Sequence, residues 1–141
     1  MLNLKKAESI LAEDEYTCVL CKDDQIYTSK ERGVKPLVVW LQSTTDFNGF
    51  SAADKVVGKG AAFLYVLLGI NAVYAHIISI PALELLKRHN INVKFDIITD
   101  NIINRKGNGI CPFEEAVLNI DNAEAAYVAI LNKMKEMNII I

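Results

Sequence analysis

Two short stretches hold most of the residues able to do chemistry. The first is Asp54-Lys55-Val56-Val57-Gly58-Lys59-Gly60; the second runs from Ile103-Asn104-Arg105-Lys106-Gly107 to Cys111-Pro112-Phe113-Glu114. Each reads as a strand or loop entering the first turn of a helix, where free backbone N–H groups and the helix dipole favour an anion. Lys55 and Lys59 are four apart, so they are expected to project from one helix face and add two ammonium charges. Gly58 and Gly60 would let a ligand approach the backbone. Two glycines in one helical turn cost about 1 kcal/mol each in propensity, which asks for a reason. The Gly-Lys-Ser/Thr of a P-loop is absent.

Cys111 precedes Pro112, which suits a first helical turn, and so takes the N-cap position. A thiolate is favoured there by the helix dipole. Glu114, three residues on, can cap backbone amides or move a proton. The catalytic candidates are therefore Cys111 as nucleophile with Asp54 and Glu114 for proton transfer. The ligand-binding candidates are Lys55, Gly58, Lys59, Asn104 and Arg105, whose guanidinium forks onto carboxylate or phosphate. A structural reading of the same residues stands beside this one. Asp54 would cap a helix, the lysines would be solvated, the glycines would pack helix on sheet, and Cys111 would be inert. Cys18-x-x-Cys21 is a weaker signal, because residues three apart on a strand face opposite sides. His76, flanked by Ala75 and Ile77, is expected to be a core or strand-end histidine.

At 141 residues the chain fits one domain, 1–141. Hydrophobic residues make up 52% and charged residues 23%, outside the range of disordered chains. A net charge of −2 and the lack of a basic run exclude a general attraction to nucleic acid. The three cysteines, Cys18, Cys21 and Cys111, have no regular spacing, and the start Met-Leu-Asn-Leu-Lys-Lys lacks an apolar core. A reducing, cytoplasmic setting is expected. From Gly60 to Leu83 there is no Asp, Glu, Lys or Arg, a run long enough to cross a bilayer. Gly69-Ile70-Asn71 interrupts it, however, so it is expected to be a buried helix followed by a buried strand rather than a membrane span.

The periodicity predicts a helix over 2–13, strands over 16–22 and 25–28, and a helix from Pro36 to Leu41. A short strand over 50–53 should end at Asp54-Lys55 and open a helix to Leu68. Strand 71–79, helix 82–89 and strand 92–98 follow. Irregular chain over 99–110 leads into helices over 112–118 and from Asp121-Asn122 to Met137. Helices alternating with strands require crossovers and a sheet covered on both faces. The expected fold class is α/β: a three-layer α/β/α sandwich on a mixed, mostly parallel five-stranded sheet.

A helix, a hairpin and three α–β steps resemble the cytidine deaminase-like fold. More closely, the chain resembles an uncharacterised archaeal and bacterial domain-of-unknown-function family placed in that superfamily. The resemblance rests on Gly33-Val34-Lys35-Pro36-Leu37, Asp54 to Ala62, Ile80-Pro81-Ala82-Leu83, Ile103-Asn104-Arg105 and Cys111 to Glu115, and covers roughly residues 15–130. It implies the fold but no reaction. Zinc deaminases pair His-x-Glu or Cys-x-Glu with Pro-Cys-x-x-Cys to hold the metal and shuttle protons. Here Asp54-Lys55-Val56 and Cys111-Pro112-Phe113-Glu114 stand at those junctions, so no metal and no other cofactor is expected.

The sequence therefore points to a zinc-less deaminase-like domain with a small-molecule site at the strand ends, for an anionic, phosphate- or carboxylate-bearing ligand. A metal-independent hydrolase or transferase, a non-catalytic sensor, and a homo-oligomeric scaffold dimerising through residues 60–83 are the readings it leaves open.

Overall fold

A computed structural model describes residues 2–104 and 106–140. The first helix, α1 (Leu2–Glu13), precedes a hairpin of β1 (Cys18–Lys22) and β2 (Gln25–Ser29). Asp23 takes the left-handed conformation at the hairpin turn, φ 54°, as Asp tolerates better than most residues. Then come α2 (Lys35–Gln42), β3 (Ser51–Val57), α3 (Lys59–Leu68), β4 (Ala72–Ser79), α4 (Ile80–Arg88) and β5 (Asn92–Thr99). Two further helices, α5 (Pro112–Ala116) and α6 (Ala123–Glu136), complete the described chain.

The five strands form one sheet in the order β2-β1-β3-β4-β5. β3, β4 and β5 pair parallel, whereas β1 is antiparallel to both β2 and β3. The fold is α/β on a mixed sheet, as expected, but the pairings split evenly, so the sheet is not mostly parallel. The reason is the crossover through α2. It makes β2 and β3 run the same way, and β1 is inserted between them, opposed to each.

The two faces are covered unequally. α1 alone covers one, setting Leu4, Ala7 and Leu11 on Val19, Cys21, Ala53, Ala72 and Tyr74. The remaining helices gather around α3 on the other face, over a core that includes Phe50, Val57, Phe63, Tyr65, Ile78, Leu85 and Ile130. The charge-free run 60–83 comprises most of α3, all of β4 and the first turn of α4, most of it buried. Among the described residues no helix is long and apolar enough to cross a membrane.

Local signals fix the element ends. Ser79 caps α4 by accepting the Ala82 amide at 3.2 Å, and Asn122 caps α6 by accepting that of Ala125 at 2.9 Å. Gly69 ends α3 at φ 79°, where an added Cβ would lie 2.5 Å from Asn48 Oδ1. Both its conformation and its space demand glycine.

The main departure from expectation lies at residues 54–58. β3 does not stop at Ala53; it continues to Val57, with Val56 opposite Ile77 and Val57 opposite Ile78. The β-branched Val56-Val57 pair favours extension. Extended Gly58, at φ −97° and ψ 179°, is the α3 N-cap. Asp54 is thus a strand residue and not a helix cap, and Lys55 and Lys59 do not share a helix face.

Candidate functional site

A pocket of about 660 Å³ opens where β3 runs out into α3. Its walls come from separate parts of the chain: Glu15, Thr17 and Cys18 entering β1, Lys30 and Arg32 to Val34 before α2, residues of the β3–α3 junction from Asp54 to Val56 and at Gly58, Gly60 and Ala61, and Ile102 and Ile103 with Cys111, Phe113 and Glu114. The segments 54–55 and 111–114, distant in sequence, meet here as the alternation of helices and strands requires.

Asp54 is buried in the pocket wall. It lies directly opposite Cys18 in the antiparallel register of β1 and β3. Tyr65, from α3, donates its hydroxyl to Asp54 Oδ2 at 2.6 Å, and its oxygen lies 3.1 Å from Cys18 Sγ. With the Tyr65 proton committed to Asp54, the Cys18 thiol is the donor to Tyr65. Asp54 Oδ1 accepts the Val56 amide at 3.2 Å. Burial raises the Asp54 pKa from 3.8 to about 6, a rise partly opposed by the Tyr65 hydroxyl and the neighbouring amides. The Cys18 thiol is pushed well above its ordinary value, first by burial and then by the Asp54 carboxylate. The same causes hold Tyr65 protonated.

Glu114 is buried and doubly satisfied: its carboxylate accepts the Lys59 amide at 2.9 Å and the Ile102 amide at 3.3 Å. The start of α3, read from sequence as a place for a bound anion, is thus filled by a carboxylate of the chain itself. Gly58 makes room for it, since a Cβ there would stand 2.8 Å from Glu114 Oε1. Cys111 is half-buried, lines the same pocket and is the N-cap of α5, with no side-chain capping bond.

Of the remaining predicted residues, Lys55 and Gly58 line the pocket. Lys59 does not; its ammonium donates to the Leu118 carbonyl at 3.1 Å and lies 5.7 Å from the centre of the Phe63 ring. The Asn104 side chain is turned into its own loop, bonded to Asn108 at 3.0 Å. Arg105 lies outside the described residues.

Sequence reasoning missed Cys18, Tyr65, Lys30 and Arg32. Cys18 was legible only as an inward strand residue, as was Tyr65 within an oily helix. The Glu31-Arg32-Gly33 loop carried a signal in its charge beside a glycine, but no spacing tied it to Asp54. Among the described residues Arg32 and Lys55 form no ion pair, while Lys30 has only a long exposed contact of 3.7 Å to Asp14.

Zinc does not fit this site. Among the described residues no group of three His, Cys, Asp or Glu side chains is placed to hold a metal ion. Both Glu114 oxygens are taken by amides, and neither histidine lines the pocket. His76 is exposed in the middle of β4, beside Asp96 at 3.0 Å, a correction to its expected core or strand-end position. His89 bonds to the Leu85 carbonyl.

Residues 6–134 match the family model TM1506, domain of unknown function (DUF1893). A crystal structure of a DUF1893 family protein, TM1506 from Thermotoga maritima, is similar to this chain at 28% identity with a TM-score of 0.85. The likeness covers 94% of this chain and 90% of that one. No curated protein matches.

Proposed function

Because the chain belongs to the DUF1893 (TM1506) family, a family defined without a function, we propose one from the pocket: it binds a small anionic molecule carrying phosphate or carboxylate. The observation behind this reading is a pocket lined both by apolar side chains and by Arg32 and Lys55, cations that form no ion pair among the described residues. Val34, Val56, Ala61, Ile102, Ile103 and Phe113 would accept an apolar or planar body, while Arg32 and Lys55 would take the charged end. Asp54 at the wall adds a polar group able to accept a hydrogen bond when ionised and to donate one when protonated. The family resemblance and the strand order with β1 reversed support placing the domain in the cytidine deaminase-like class, in a form that works without zinc.

A second reading is a metal-independent hydrolase or transferase. It is favoured by Cys111 lining the same pocket as Asp54, whose pKa of about 6 suits proton transfer near neutrality. Asp54, mostly ionised near neutrality, would take the Cys111 thiol proton as the sulfur adds to an electrophilic carbon of the ligand. It would return that proton to the departing group as its bond to that carbon breaks; water or an acceptor hydroxyl or amine would then displace the sulfur and release the thiol.

A thermal-shift screen of nucleotides, sugar phosphates and amino acids, followed by titration calorimetry on any hit, tests both readings. The binding reading expects a hit weakened by Lys55→Met and by Arg32→Met and retained in Cys111→Ser. Turnover of that hit, lost in Cys111→Ser, selects the enzyme. Hits indifferent to both cation changes overturn the anionic assignment.

A further inference from the structure

The two edges of the sheet differ. β2 is a five-residue strand, Gln25–Ser29, of mainly polar residues. β5 has eight residues, Asn92–Thr99, no proline and no glycine, and leaves Phe95, Ile97 and Ile98 exposed. α1 packs mainly on β1, β3 and β4 and reaches β5 through the Glu8–Lys94 ion pair at 2.9 Å. A long, apolar, unpaired edge is a template for another strand, and proteins ordinarily blunt such edges with charge. β5 carries two charges, Lys94 and Asp96. They share the α1 side of the sheet, where Lys94 bonds Glu8 and Asp96 accepts from Tyr74 and His76. Val93, Phe95 and Ile97 alternate to the other side.

We propose that β5 pairs antiparallel with the β5 of a second copy, about a two-fold axis through Phe95, joining two five-stranded sheets into one. The charge pattern selects both partner and register. With Phe95 opposite its own counterpart, Lys94 stands opposite the second copy's Asp96, and Asp96 opposite its Lys94. Val93 meets the second copy's Ile97 in the same way, apolar on apolar. Sliding the pair while keeping each face on its own side sets Lys94 against Lys94 or Asp96 against Asp96, which like-charge repulsion disfavours. The two charges that would repel an unrelated strand thus complement a copy of themselves, as an isologous interface requires. The pocket takes no part in this inference, so it stands or falls separately from the proposed function.

The test is mass by light scattering during gel filtration, at protein concentrations from about 1 to 100 μM, the range in which specific weak dimers separate from monomers. The intact chain is expected at twice its monomer mass. Lys94→Glu and Asp96→Lys each place two like-charge pairs in the interface, and each alone should weaken the dimer about ten-fold or more. Mixed one to one, the K94E and D96K chains restore both opposite-charge pairs, so a mixed dimer should form. Circular dichroism checks that each variant is folded, and Ile97→Lys, on the opposite face, should also release monomers. An intact chain that is monomeric throughout, a dimer indifferent to all three changes, or a K94E and D96K mixture that stays monomeric would each overturn the proposal.

Discussion

The Glu114 carboxylate accepts the amide of Lys59 at 2.9 Å across a separation of 55 residues, so the first turn of α3 is closed by a side chain from α5. Gly58 is the space this contact needs. The helix start is thus already neutralised, and under the proposed reading the charge of an anionic ligand would be met by Arg32 or Lys55.

Glu114→Ala should cost about 1–3 kcal/mol, because it leaves two amides without their acceptor. Gly58→Ala should cost a similar amount, since its Cβ must displace a carboxylate held at both oxygens. The double variant should lose less than the sum of the two, because the displaced group is already gone. Urea unfolding of the four proteins measures this, and strict additivity would show that Gly58 and Glu114 do not interact.

Asp54 makes stability depend on pH. Below its ordinary pKa of 3.8 the carboxyl is neutral in both folded and unfolded chains; between 3.8 and about 6 only the unfolded chain has lost the proton. Stability should therefore fall as pH rises through that window and then level off, by about 3 kcal/mol in total from this group. Asp54→Asn has no proton to lose. Its stability relative to the parent should improve by about 2–3 kcal/mol from about pH 4 to 7, and parallel curves for the two proteins would rule out the buried titration.

The two lysines, equivalent in sequence, should behave differently. Lys55→Met should weaken an anion bound in the pocket about ten-fold, as loss of one charge-assisted bond implies. Lys59→Met should leave that affinity unchanged, because its ammonium is bonded to Leu118 outside the pocket. Isothermal titration with the same ligand separates them, and equal losses would return both lysines to one site.

Iodoacetamide should modify the folded protein once, at Cys111, and spare the buried Cys18 and Cys21. A pocket ligand should slow that reaction. Peptide mapping after brief labelling decides it, and early labelling of Cys18 would mean that the β1–β3 wall opens.

Periodicity was enough to place each helix and strand and the meeting of Asp54 with Cys111 and Glu114, because helix–strand alternation leaves few ways to bring those junctions together. It failed at residues 54–58, where charged and glycine residues resemble a helix start while Val56 and Val57 carry the strand on for another turn's length of chain. It failed also for Tyr65 and Cys18. Their roles depend on a cross-strand register and a helix rotation that no local pattern encodes. The even split of pairings was hidden for the same reason: nothing local says that β1 will lie beside β3.

Cys18, Tyr65 and Asp54 form a relay of three proton-carrying groups, with burial setting Asp54 near pH 6 and holding the other two protonated. Asp54 is consequently the member whose charge can answer the pocket's contents. A ligand that brings negative charge close to it would draw a proton in from solvent, and one presenting a donor would expel a proton. Near pH 6 the heat of binding should then vary with the ionisation enthalpy of the buffer, and the sign of that dependence would reveal which end of the guest faces the wall.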